Sequence, residues 1–287
     1  MKRKCAVFTV VLITYLLSGT CFAGQSTITI AEGIACMGDD KSRKETQSAA
    51  MAEAKRDAVE RTMTYVTSDK IVNKGMLKKD LMEAYSRASI KILEVLEKAW
   101  EKDPSAGDCF RMKIRAEIVP DVEAIKSAQN LDSLYEDPSG PLAIRVWTNK
   151  KEYSKGEKIK IYLKGNKPFF ARVVYQDASG NLLQLLPNIH RTQNYFNGGT
   201  VYEIPSGRDS FELDVTPPFG RENIIVYAST KALGHVDMRD VGGVYAINSS
   251  LDDVRGKTRG VAIRTANGGQ DGPAEFYEAQ TDVTISR

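Results

Sequence analysis

The chain has 287 residues, 42% of them apolar and 27% charged. That is the balance of a globular protein of about two domains, and it excludes wholesale disorder and collagen-like repeats. The formal net charge of +3 arises at the very start: setting aside Lys2, Arg3 and Lys4 leaves 37 bases against 37 acids, and a neutral chain lacks the field that draws phosphate backbones, so nucleic-acid binding is not expected.

Met1 to Ala23 reads as a secretory signal. Lys2-Arg3-Lys4 is its positive region, Ala6 to Leu17 an apolar run of 12 residues, and Cys21-Phe22-Ala23 sets small residues where a signal peptidase reads, so cleavage is expected before Gly24. Two alternatives compete. A membrane anchor would have to span roughly 30 Å of hydrocarbon with about 18 Å of helix. Lipidation at Cys21 would have to tolerate Ser18-Gly19-Thr20-Cys21, which departs from the Leu-Ala-Gly-Cys pattern at two places. No later segment is apolar enough to span a bilayer, and the expected location is the periplasm or the outer-membrane periphery. Cys36 and Cys109 remain after cleavage. An even count in an exported chain points to a disulfide; two unrelated buried thiols are the other reading, and the spacing is not that of a zinc site.

From Gly24 the first half runs strand, helix, helix, strand, strand. Ser26 to Ile30 alternates polar and β-branched residues, the mark of a strand, and continues through Gly33 to Cys36. Ser42 with Glu45 three residues on predicts a capped helix, along which Ala50, Met51, Ala54, Ala58 and Tyr65 form one apolar stripe. Leu77 to Arg87 predicts a second helix. Ile90 to Trp100 suits helix or strand, but the turn-rich Asp103 to Asp108 and the alternating run Phe110 to Ile118 make it the first arm of a hairpin. The spacing thus predicts an α+β domain over residues 24–120, a small antiparallel sheet with helices on one face, then a connecting helix and linker over 121–139 ending at Asp137-Pro138-Ser139-Gly140-Pro141.

Glu32-Gly33-Ile34-Ala35, the alanine-rich Ala49 to Ala58 and the strand Met112 to Ile118 resemble the N-terminal domain of the flagellar T-ring protein and related small outer-membrane lipoproteins. The resemblance covers about 95 residues and implies an envelope module used for protein contacts, with no catalytic residues to carry over.

Residues 140–287 show almost no helical periodicity. Strands are predicted at Leu142–Thr148, Lys158–Lys164, Phe170–Gln176, Leu182–Leu186, Thr200–Ile204, Ser210–Val215, Asn223–Ser229, Gly260–Thr265 and Glu275–Ile285, with turns between them, the pattern of an all-β, immunoglobulin-like sandwich. Tyr153 to Ile159, Asp177 to Asn188, Tyr202 to Ser206, Gly220 to Thr230 and Thr258 to Val261 resemble, in order, the blocks of the bacterial domain-of-unknown-function family 4384. Leu186 stands where that family carries an aromatic before the proline. The resemblance implies a β-sandwich and a binding module, and no chemistry.

Motifs that carry chemistry are scarce. Gly256-Lys257-Thr258 imitates the end of a phosphate-binding loop, but Leu251 stands where the loop needs glycine, and neither the preceding strand nor the following helix is predicted. No Gly-x-Ser-x-Gly occurs. His190 and His235, the only histidines, have no zinc-motif partners and read as loop residues. Gly268 to Gly272 and Asp177 to Asn181 read as turns before calcium loops. Two features favour binding. Seven lysines against two glutamates between Lys150 and Lys167 place Lys158, Lys160 and Lys164 as a basic stripe for an anionic surface such as lipid headgroups or cell-wall polymer, against the reading of lysines that protect an edge strand. The loop His190 to Gly199 offers Arg191, Asn194, Tyr195 and Phe196 as a contact surface for protein or sugar, against the reading in which both rings tuck under the sandwich. No catalytic residue, metal site or cofactor is expected. The expectation is a non-enzymatic envelope protein with two protein-contact modules. A glycan or small-ligand binder using the sandwich loops is the first alternative and an envelope hydrolase the second.

Overall fold

The computed structural model describes residues 24–39, 41–68, 75–121, 135–242, 244–259 and 272–287. The signal-like segment, most of the connecting helix, the strand expected at Gly260–Thr265 and nearly all of the glycine-rich turn before Gly272 lie outside them. Among the described residues the protein is mostly β, with a large antiparallel sheet and few helices.

The first half follows the predicted order: β1 (Gln25–Cys36), α1 (Arg43–Val66), α2 (Gly75–Ser86), β2 (Ser89–Asp103) and β3 (Gly107–Val119). Ser42 starts α1 with reciprocal bonds, the Glu45 N–H donating to its hydroxyl and its own N–H donating to the Glu45 carboxylate, which satisfies two donors that a helix start leaves free. Every fourth residue from Thr46 through Ala50, Ala54, Ala58 and Thr62 to Val66 is buried. The small side chains at its centre let the helix lie against the strand. A Cβ on Gly33 of β1 would come within 2.1 Å of the Ala50 carbonyl oxygen and 2.3 Å of the Ala54 nitrogen, so only glycine fits there. The β2–β3 turn is held by Asp103, which accepts from Ser105 and Ala106 N–H groups, and closes at Gly107 with φ +78°. In β3 the residues Phe110, Met112, Ile114, Ala116 and Ile118 join α1 in a core. The alternate residues Arg111, Lys113 and Arg115 pair with Glu32, Glu94 and Glu101 on the other face.

The second half contains β4 (Ile144–Thr148), β5 (Glu152–Ser154), β6 (Ile161–Gly165), β7 (Phe169–Gln176), β8 (Leu182–Leu186), β9 (Tyr195–Phe196), β10 (Tyr202–Ile204), β11 (Gly220–Ser229), β12 (Met238–Asp240), β13 (Tyr245–Ile247), α3 (Leu251–Arg259) and β14 (Ala274–Ser286). One 11-stranded sheet runs in the order β12-β13-β8-β7-β11-β14-β1-β3-β2, with β5 and β9 attached to β14 and β7. A second sheet has the order β10-β6-β4, and the two share a core built from Ile144, Ile161 and Leu163 on one side and Val173, Ile224 and Val226 on the other. α3 lies on the opposite face of the large sheet, where Val254 packs with Ile28, Ile225 and Phe276.

Four short strands, β5, β9, β12 and β13, were not expected from the sequence, and two further segments differ from expectation. Ser210–Val215 is not a strand; it contributes an isolated bridge between Lys158 and Asp214, its backbone bonding with Glu157 and Ile159 while Phe211 and Leu213 pack on the core. α3 stands where only strands and turns were expected. Nine residues are too few for a visible helical period, but its start is marked: Ser250 and Asp253 exchange the bonds of a cap.

The large sheet passes from one half to the other without a break. Gln25–Ile28 of β1 pair with Ala274–Tyr277 of β14, although Asp137–Pro141 is a turn between the two runs of chain. Buried polar groups join the halves on both faces. On one, Glu275 accepts from the Tyr65 hydroxyl at 3.2 Å, the Lys167 ammonium at 3.1 Å and the Leu142 N–H; burial and the Glu275 charge push the Tyr65 phenol well above its usual range. On the other, Arg259 of α3 meets Glu117 of β3 at 2.8 Å, and Glu117 accepts from the Ser26 hydroxyl at 2.6 Å; beside them, within the second half, Arg255 makes a two-bond pair with Glu278.

Candidate functional site

The aromatic loop is divided by its own strand. β9 pairs with β7, setting Phe196 opposite Phe169 and Tyr195 opposite Phe170, and consecutive residues of a strand point to opposite faces. Phe196 is 1% exposed and stacks on Phe169 at 5.2 Å, with Tyr202 edge-on at 5.0 Å. Tyr195 is 52% exposed. Phe196 is therefore a core ring and not part of a contact surface, and no groove is lined by both rings. Arg191 lies over the Phe196 ring at 5.5 Å and pairs with the buried Asp209 at 3.1 Å. The Asn194 carbonyl accepts from the Ala171 N–H. Only Tyr195 of the four stands well into solvent.

The lysine stripe is not free positive charge. Lys158 pairs with Glu212, Lys160 with Glu203 at 2.7 Å and Lys164 with Glu136 at 2.6 Å. Lys158 and Lys160 both lie before β6 and only Lys164 is on it, so the three do not share one strand. Cys36 and Cys109 stand opposite each other in β1 and β3 and are joined as a disulfide. His190 and His235 are exposed. Gly256-Lys257-Thr258 lies within α3, and the Thr258 hydroxyl is buried and accepts from Arg172 at 2.6 Å; this is helix packing and not a phosphate loop. Burial pushes the Arg172 guanidinium down to about 10, still protonated at neutral pH. Among the described residues no group of three or more histidines, cysteines or carboxylates is placed to hold a metal ion.

The cavity that draws attention is elsewhere. At one end of the space between the two sheets lies a pocket of about 230 Å³. Ile159, Ile161, Leu183, Leu185 and Leu213 give it an apolar wall, and Pro217, Pro218 and Val244 shape its mouth. Its acidic groups are Asp177, Glu212, Asp214 and Glu222; no lysine or arginine lines it. Glu222 sits on β11 two residues before Ile224 and four before Val226, both core residues, so the strand alternation turns its side chain inward. It is 1% exposed. Its Oε1 accepts from the Ala178 N–H at 3.3 Å, whereas its Oε2 is buried with no partner. Burial raises its pKa above the ordinary carboxylate value. Asp177 spends its oxygens on the β7–β8 turn, accepting from Ser179 and Asn181.

Residues 152–232 match the family model described as Domain of unknown function (DUF4384). The DUF4384-like segment thus runs from β5 through β11 and holds nearly the whole pocket; Val244 alone among its lining residues lies beyond. The Thr258 to Val261 block, read from the sequence as part of the same resemblance, falls outside the matched range. No curated protein matches the chain. Sequence reading missed the pocket. Glu222 stands one residue before the strand expected at Asn223–Ser229; β11 begins earlier, at Gly220, and the inward turn of this carboxylate becomes visible only with the register of β11.

Proposed function

We propose that this chain is a non-enzymatic, exported envelope protein that acts by contact with other envelope proteins, and that the pocket beneath Glu222 is its contact site. In this reading the two-sheet C-terminal part is an immunoglobulin-like sandwich carrying the binding end, and the N-terminal part is an α+β module of the kind found in envelope lipoproteins. The observation that carries the reading is the Glu222 Oε2, buried without a partner in a pocket that is otherwise apolar and acidic; a buried polar atom left unmatched in a cavity is what a ligand would satisfy. Export is supported by the signal-like Met1–Ala23 and by the cross-strand disulfide, which suits an oxidising compartment. No helix of the described residues is long and apolar enough to cross a membrane.

Two measurements test this. Cell fractionation should place the protein in the periplasmic or outer-membrane fraction; a cytoplasmic location overturns export. Crosslinking in envelope fractions should yield a partner with the native chain and lose it when Leu183→Trp fills the pocket. Capture that survives the filled pocket would move the contact elsewhere.

Two other readings each rest on one observation. For a glycan binder, Trp147 and Tyr162 stack at 5.6 Å on the outer face of the smaller sheet, beside the paired Arg145 and Lys164. For a hydrolase, Glu222 with its raised pKa shares a pocket with Asp177 and Asp214, as acid and base carboxyls do in glycosidases. Turnover of fluorogenic glycosides that disappears in Glu222→Gln would favour the latter.

A further inference from the structure

We propose that the pocket holds an aliphatic primary ammonium, its alkyl chain along the leucine and isoleucine wall and its head against the Oε2 of Glu222. The inference rests on the contact-site reading above and names the chemistry of what enters.

Four observations lead to it. The polar groups of the pocket are almost all acceptors: the carboxylates Asp177, Glu212, Asp214 and Glu222, with Tyr175 and Thr216 as the hydroxyl groups. Among the described residues Lys158 pairs with one of these acids, Glu212, and no lysine or arginine is in the lining. An anion is therefore repelled, and a neutral acceptor finds few donors. Next, the cavity is small. Pockets for drug-sized ligands run to about 300–1,000 Å³, so one of about 230 Å³ takes a group of side-chain size. The geometry at Glu222 then separates ammonium from guanidinium. Its Oε1 is occupied by the Ala178 N–H, leaving a single free oxygen. A guanidinium fork matches two oxygens of one carboxylate, whereas an ammonium is a compact charge that needs one. Finally, the described residues place no three ligands for a metal ion.

Burial without a partner explains why the Glu222 carboxyl is held up toward its neutral form. An ammonium arriving at Oε2 supplies the missing charge, so binding releases a proton, and affinity rises with pH through the range in which Glu222 ionises. Asp177, Glu212 and Asp214 face the same space and add to the negative potential.

Such a group has two sources, a lysine side chain presented by a protein or a free alkyl diamine. The mature chain, labelled at its Ile, Leu and Val methyl groups, would be titrated by NMR with n-pentylamine, n-pentanol, pentanoate, Nα-acetyl-lysine methylamide and cadaverine. The methyl groups of Ile159, Leu183 and Leu185 are the reporters. The ammonium should bind at least about tenfold more tightly than the alcohol of the same length, the weight of one charge-assisted hydrogen bond, and more tightly at mildly alkaline than at mildly acidic pH. Glu222→Gln should remove most of that preference and leave the alcohol unaffected; the wild-type comparison of amine with alcohol decides the matter even if that variant folds poorly. Tighter binding of the lysine amide than of cadaverine assigns the site to a protein partner, and the reverse to a free amine; either supports the ammonium. Equal or tighter binding of pentanol or pentanoate overturns the inference while leaving an apolar contact site. If no probe moves the reporters, both the inference and the pocket reading fall.

Discussion

The sharpest contrast in the structure lies between two neighbouring rings, Tyr195 and Phe196. Phe196 is enclosed by Phe169 and Tyr202 in the core between the sheets. Truncation to alanine removes the ring's transfer free energy and leaves a cavity, which for a buried phenylalanine costs about 3–5 kcal/mol. In a protein of this size each kcal/mol lowers the melting temperature by roughly 2–4 °C, so Phe196→Ala should melt about 6–20 °C below the native chain by the same scale. Tyr195 is half exposed and meets Phe170 edge-on at 5.1 Å; that contact is worth about 0.5–1.5 kcal/mol, and Tyr195→Ala should melt within a few degrees of the native chain. Thermal melts followed by circular dichroism, with urea titrations to convert midpoints into free energies, measure both. The order of the two effects is the test. If Phe196→Ala cost less than Tyr195→Ala, or both were near zero, the division of the loop by β9 would be wrong and the rings would form a surface after all.

Three further outcomes follow from the same structure. Gly33→Ala should destabilise by about 1–3 kcal/mol or more, because the new Cβ meets the backbone of α1 and no rotamer relieves it; a melt unchanged from wild type would mean that the helix does not lie so close. Replacing Cys36 and Cys109 by serine should lower stability by about 4 kcal/mol on the loop-entropy account for a 73-residue separation, read as a shift in urea midpoint that adding reductant to the native chain reproduces. Glu222 should give a signature in pH. Its pKa is raised in the folded chain, so its contribution is fully present below the unfolded value and is lost as pH rises through the folded one. Glu222→Gln should therefore gain on the native chain between mildly acidic and neutral pH in urea titrations, and a difference that does not change with pH would mean Glu222 is not held neutral.

Local pattern decided much of this protein. The alternation of Phe110 to Ile118, the Ser42–Glu45 cap and the alanine spacing of α1 each reflect a period set by backbone geometry within one element, and each appears where the sequence places it. The Cys36–Cys109 link was legible as well, since the two cysteines that follow the signal-like segment admit a single intramolecular pairing. What the sequence could not show is which strands meet. The pairing of β1 with β14 joins residues some 250 apart in the chain, and it turns an apparent break at Asp137–Pro141 into a turn beside a continuous sheet. Tertiary contacts also decided the sign of each candidate site. Lys158, Lys160 and Lys164 look like a basic stripe until Glu212, Glu203 and Glu136 arrive from distant segments. Tyr195 and Phe196 look alike until a two-residue strand points them to opposite faces. The Glu222 pocket exists only because β7, β8, β11 and the Glu212–Pro218 segment converge. A carboxylate in a sequence carries no mark of burial, since burial belongs to the neighbours that the fold brings to it.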